Sequence, residues 1–220
     1  MTKAREIAVI GLGRFGQHIV RTLSELGHEV LAIDQDDGRV QAVVPYATQA
    51  VQADATDEEA LRALAIDSFP VVIVAIGNDL EDSVLVTLTL KELGVATVIA
   101  KASSERHGKV LSRVGADRIV FPERDMAIRL AKTLSSDNVL DLIAVTPDVS
   151  IEELTAKGQL IGSTLRELDL RARFGVTIMA IRRGDQVVVS PPADEVITEG
   201  DTLVAIGTNA DLEKLEELCR

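Results

Sequence analysis

Aromatic side chains are scarce in this chain: 2% of its 220 residues, with no tryptophan and one tyrosine. Hydrophobic residues still make up 46%, so a core must be built from Val, Ile, Leu and Ala, as in a parallel sheet buried on both faces. Cysteine occurs once, at Cys219, which excludes an intramolecular disulfide and fits a reducing compartment. No apolar run approaches the roughly 20 residues that cross a bilayer. Residues 1–6 lead almost directly into the first apolar run, so neither a membrane span nor a signal peptide is expected. Positive charge is also short: 23 Lys and Arg against 35 Asp and Glu give a formal net charge of -12. Such a surface repels phosphate backbones, which argues against nucleic-acid binding. The three histidines are far apart, and no His-x-x-His or Cys-x-x-Cys spacing suggests zinc.

What is present is most informative between residues 7 and 34. Ala8-Val9-Ile10 ends an apolar strand, Gly11-Leu12-Gly13-Arg14-Phe15-Gly16 follows, and an amphipathic helix runs to residue 26. A second apolar strand then ends on Asp34. In such a unit Gly11 permits the tight turn, Gly13 lets a phosphate reach the backbone, and Gly16 lets helix and strand pack closely. The free N–H groups and positive dipole end of the helix favour the phosphates. Asp34 stands near the spacing of an acid that accepts ribose hydroxyls, and it disfavours a 2′-phosphate. A guanidinium at Arg14 can add charge-assisted bonds to a phosphate.

Alternation of strands and helices continues. Strands are predicted over 49–53, 71–76, 97–100 and 118–121, and helices over 57–64, 80–93, 105–114 and 125–134. Thr56 is the expected N-cap of the 57–64 helix, with Glu59 at the capping-box position. The pattern predicts an α/β domain, a Rossmann-like doubly wound parallel sheet over residues 1–136. Beyond it, short strands over 141–146, 150–155 and 202–207, a hairpin of 177–182 and 186–190 around 183–185, and helices over 164–168 and 211–218 predict a small α+β domain over 139–220. Strand ends mark further binding candidates. Asp54, Ala55 and Thr56 lie where the adenine is expected, and Gly77 and Asn78 lie beside the phosphates. Lys101 either meets a phosphate or forms a surface salt bridge.

The order G-L-G-R-F-G, Ile33-Asp34, Ala53-Asp54-Ala55-Thr56, Val74-Ala75-Ile76-Gly77, Gly115-Ala116-Asp117 and Pro122-Glu123 resembles RCK domains, regulators of potassium conductance. Within these the chain looks most like the cytosolic ring subunit of Ktr-type bacterial potassium uptake systems. Residues 169–175 and Gly200-Asp201-Thr202-Leu203 are similar to features of that family's C-terminal domain. The resemblance implies a homodimer that assembles to an octameric ring under a membrane potassium channel subunit. It implies a cytoplasmic protein, peripheral at the inner face of the membrane, without insertion of its own. ATP or ADP in the first domain would set the ring's shape. By resemblance, Arg14 reaches the γ-phosphate held by the neighbouring subunit, with Phe15 beside it. Glu123 matches an acid that helps bind Mg²⁺ or Ca²⁺ where two subunits meet; the other reading is an acid stabilised by a helix dipole. In some relatives the second domain binds cyclic di-AMP. Arg171, Arg173, Ile178 and Pro191 are the matching candidates, against ion pairing of the arginines with Glu167 or Asp169 and ordinary packing.

Two alternatives share the opening motif. An NAD-dependent dehydrogenase would need an acid or base and a substrate pocket. Residues 137–220 contain no histidine, and their only cysteine is next to last. A Trk-type regulator sensing NAD/NADH usually repeats this architecture in one longer chain. The expectation is a ligand-gated regulatory subunit and not an enzyme.

Overall fold

A computed structural model of the chain describes residues 4–77, 79–135 and 138–219. Its contacts divide it into two units, Met1–Glu123 and Arg124–Arg220. In the first unit, β1 (Glu6–Ile10), β2 (Glu29–Asp34), β3 (Gln49–Gln52), β4 (Val71–Val74), β5 (Thr97–Lys101) and β6 (Arg118–Val120) form one sheet. Every pairing in it is parallel, in the order β3-β2-β1-β4-β5-β6. Five helices connect these strands in turn: α1 (Arg14–Glu25), α2 (Asp37–Val43), α3 (Glu58–Ala63), α4 (Leu80–Glu92) and α5 (Glu105–Arg113). Adjacent residues of β1 feed opposite faces. Ile7 and Val9 pack with Val20 of α1 and Val40 and Val43 of α2, whereas Ala8 and Ile10 pack with Leu61, Val86, Leu90 and Leu111 of α3, α4 and α5. Burial on both sides explains why the strands read as continuous apolar runs and not as alternation.

One local reading of the sequence is corrected, and one element is added. Thr56 does not cap α3: the helix starts one residue later than the cap signal implied, and Asp57 accepts from the Glu59 amide at 2.9 Å. The Thr56 hydroxyl instead donates to Asp54 Oδ1 at 2.6 Å. The helix α2 was not anticipated; it is seven residues long and has Gly38 in its first turn, so its apolar period is too short to stand out. Tyr46 follows it, with the Arg21 guanidinium 4.7 Å from the ring centroid.

The division between units falls in the first turn of α6 (Pro122–Leu134), one helix earlier than the expected boundary after residue 136. Arg129 of α6 pairs with Asp141, which helps place that helix with the second unit. There β7 (Val139–Ala144), β8 (Val149–Thr155), β9 (Thr177–Arg183), β10 (Gln186–Val189) and β11 (Thr202–Thr208) form an antiparallel sheet in the order β10-β9-β11-β8-β7. Arg183 pairs with Gln186, so the hairpin turn is the two residues Gly184-Asp185, where Gly184 takes a φ of 57°. The short helices α7 (Leu165–Leu168) and α8 (Leu170–Phe174) precede β9, and α9 (Asn209–Leu218) follows β11. Leu212 and Leu215 of α9 pack into one core with Leu154, Leu203 and Ala205. Alternation along β8 buries Ser150, Glu152 and Leu154 together, and Glu152 Oε2 is buried there without a hydrogen-bond partner among the described residues. No helix among the described residues is long and apolar enough to cross a membrane.

Candidate functional site

Strand order reverses at β1, whose neighbours are β2 on one side and β4 on the other. In open α/β sheets, ligands bind outside the carboxyl ends of the strands at such a point. A cleft of about 800 Å³ lies there. All six strands of the sheet lead into its lining: Ile10, Asp34 and Lys101 end their strands, Asp54 and Gly77 lie in the loops after β3 and β4, and Glu123 stands in the first turn of the helix α6 that follows β6.

The glycine loop forms one wall. Gly11 has a φ of +92°, and a Cβ there would meet the Ile76 amide nitrogen at 2.9 Å, so both backbone and space demand glycine. A Cβ on Gly16 would stand 2.0 Å from the Gly11 carbonyl oxygen, whereas nothing lies within 4 Å of a Cβ on Gly13. Gly16 therefore serves packing beneath the loop, and Gly13 leaves open space above it. The N-terminus of α1 has no side-chain cap. By contrast α2, α3, α4 and α5 are capped by Asp36, Asp57, Asp79 and Ser104. The first amides of α1 are thus left for something else, and an anion suits them.

Asp34 is 6% exposed, not a solvated acid at a strand end. Its Oδ2 accepts from the Leu12 amide at 2.6 Å and its Oδ1 from the Asp36 amide at 2.9 Å. Arg39 stands 3.6 Å from the same carboxylate. Each carboxylate oxygen keeps further acceptor capacity, so hydroxyls can still be received. Asp54 is held below the usual carboxylate range by the Thr56 hydroxyl first and the Thr56 amide second. Asp82, also in the cleft, is pushed upward by burial and then by Asp79, Asp54 and Glu81. The cleft thus offers carboxylates to hydroxyl and amine donors together with the cations Arg14, Arg39 and Lys101.

Of those cations, Lys101 is the most enclosed, its side chain 12% exposed. Its Nζ is 2.6 Å from Glu123 Oε1 and 5.7 Å from the Phe15 ring centroid. The Lys101 bond, more than the nearby charges of Lys101 and Arg14, draws Glu123 below its ordinary range. Arg14 is exposed at the cleft and makes no ion pair among the described residues. Glu123 is therefore engaged by a lysine, and no group of three or more His, Cys, Asp or Glu among the described residues could hold a metal ion. The donors of one chain do not fit a divalent cation.

The fold thus gathers Gly11, Gly13, Arg14, Phe15, Asp34, Asp54, Ala55, Thr56, Gly77, Lys101 and Glu123 around one cavity. Asn78 lies outside the described residues. Gln17, Gln35, Arg39, Asp79 and Asp82 also line the cleft and were not anticipated. The acids Asp36 and Asp79 before short apolar stretches were the available signal for the helix starts that bring in Arg39 and Asp82.

In the second unit, Arg171 and Ile178 share a cavity of about 120 Å³ with Leu165, Asp169 and Val176. Arg173 and Pro191 are not among its lining residues. Arg173 instead lies over Phe174 at 5.0 Å and donates to the Leu168 carbonyl at 3.2 Å. Glu167 Oε2 accepts from the Thr164 amide and hydroxyl in a capping box.

Residues 7–122 match the TrkA-N domain and residues 149–220 the TrkA-C domain. The Ktr system potassium uptake protein C of Bacillus subtilis (strain 168) is 49% identical over 213 residues, spanning 97% of this chain and 96% of that protein. The chain belongs to the Ktr family of potassium uptake proteins. A second Ktr relative, potassium uptake protein A of the same organism, is 44% identical over 97% of this chain and 96% of its own length. The Ktr-family chain is also similar to a solved structure of the GsuK channel bound to NAD, with a TM-score of 0.68 and 22% identity over 100% of this chain and 40% of that one. At that identity the likeness is one of fold.

Proposed function

We propose that the chain is a nucleotide-gated regulatory subunit of a potassium uptake system, with ATP or ADP as the ligand of the cleft, and not an enzyme. The observation that carries this reading is the cleft itself: an uncapped glycine-loop helix start, Asp34 and Lys101 around about 800 Å³. A volume of that size suits a mononucleotide. The glycine loop takes the phosphates, Asp34 the ribose and the Asp54–Thr56 loop the adenine. None of the three histidines lines the cleft, nor does the cysteine.

A ligand shifts an assembly only as far as its affinity differs between two states. Arg14, exposed and unpaired among the described residues, supplies such a difference by reaching a neighbouring subunit's γ-phosphate. Self-assembly, to an octameric ring on this reading, is supported by α6. It buries no side chain, and Met126, Leu130 and Leu134, at i, i+4 and i+8, are 58%, 56% and 77% exposed. The ring would sit in the cytoplasm against a membrane channel subunit. The second unit would take cyclic di-AMP between two copies, because the Arg171 cavity of one chain is too small for a dinucleotide.

Calorimetric titration of the full chain with ATP, ADP, NAD and NADH, paired with native mass, tests the reading. Tight ATP and ADP binding on an octamer is expected. NAD bound by a dimer that oxidises or reduces it would favour the dehydrogenase alternative and end the proposal.

A further inference from the structure

Two peptide groups of the glycine loop are held by one residue, Gln17. Gln17 Nε2 donates to the Leu12 carbonyl at 2.9 Å, and the Gln17 amide donates to the Gly13 carbonyl, also at 2.9 Å. One residue of α1 thus grips two successive carbonyls. In a planar trans peptide, C=O and the next N–H point in opposite directions. Drawing those carbonyls toward the helix therefore turns the amides of Gly13 and Arg14 away from it, on the side where both residues line the cleft. On the other side of Leu12, its own amide is fastened to Asp34. The Leu12 residue is consequently fixed at both its N–H and its C=O. The backbone bond from Gln17 belongs to any helix; the side-chain bond to Leu12 does not. It is the part that sequence can remove.

We propose that Gln17 is a positioning residue for anion binding: its side-chain amide holds the Leu12 carbonyl so that the Gly13 and Arg14 N–H groups are aimed at a ligand's phosphates before the ligand arrives. The inference rests on the nucleotide reading above and adds a residue to it. Gln17 itself contributes through the backbone, so its effect belongs to the phosphate end of the ligand and not to the adenosine end.

The test uses Gln17→Met, similar in length and without a donor. Kd values for adenosine, ADP and ATP are measured by calorimetry on parent and variant. Loss of one pre-organising hydrogen bond should weaken ADP and ATP roughly five- to tenfold, while adenosine changes less than about twofold. Backbone ¹⁵N resonances of the ligand-free proteins give the second measurement. Gly13 and Arg14 signals should already move in the variant without any ligand. Equal weakening of adenosine and ADP means a general structural role and overturns the proposal. So does a parent-like ADP-to-adenosine ratio. Unmoved free-state resonances with weakened ADP would make Gln17 a direct ligand contact, which also overturns it. A parent chain that binds no adenine compound sinks the nucleotide reading itself, and this role with it.

Discussion

Lys101 Nζ lies 2.6 Å from Glu123 Oε1 and 5.7 Å from the ring centroid of Phe15 in the glycine loop. The lysine is the enclosed partner and the glutamate the exposed one, 12% against 68% by side chain. In the free chain this cleft-lining cation is therefore already partly neutralised. Glu123→Gln should release it and strengthen ADP binding about threefold to fivefold; Lys101→Met should weaken ADP at least tenfold. Calorimetry decides, and a glutamine variant that binds no better than the parent would show that Lys101 does not serve the phosphates.

Asp34 combines two tasks, so its removal should have two signatures. Asp34→Ala leaves the Leu12 and Asp36 amides without their acceptor, at a cost of roughly 1–3 kcal/mol for a buried orphan donor. The midpoint of thermal unfolding should drop by several degrees, and ADP, ATP and adenosine should all weaken about tenfold or more. A variant with parent-like affinity for all three would remove Asp34 from the ribose.

Arg14 carries the discrimination between nucleotides. Arg14→Ala should bring the ratio of ATP to ADP affinity toward one while adenosine binding is kept, because the side chain is exposed and makes no ion pair with a described residue. Titration of parent and variant with both nucleotides checks this, and a ratio that survives the substitution refutes it.

Glu152 predicts a pH dependence of opposite sign to the usual acid. Burial first, and Glu216 second, push its carboxyl up from an ordinary 4.5 to about 7. Between those values the folded chain holds a proton that the unfolded chain has released. Stability is then lost as pH rises through that window. Glu152→Gln should remove this slope and make the protein more stable than the parent at pH 8 in denaturant titrations. Parallel stability curves for parent and variant from pH 5 to 8 would show that Glu152 does not titrate there.

Much of the first unit was legible because β1, β2 and β4 are runs of apolar residues that close on Gly or Asp within a few positions, and a doubly buried sheet writes itself that way. The glycine motif and Asp34 were legible for the same local reason. Arg39, Asp79 and Asp82 were not, because the parallel order of the sheet, and not any motif, carries them to the cleft. Nor was Gln17: its bond to Leu12 depends on how the loop folds back over the first turn of α1. In the second unit, α8 was missed because five residues between Asp169 and Gly175, both in the left-handed region, are too few to show a period. Thr56 was misread as a cap because Asp57, the next residue, competes for the same helix start and wins.

Tyr46 stands under Arg21 in the first unit, and it is the chain's sole tyrosine in the absence of tryptophan. The polypeptide is consequently almost dark in the near ultraviolet. An adenine compound carried through purification would dominate its absorbance at 260 nm, and a fluorescent adenosine analogue could be followed with almost no intrinsic background.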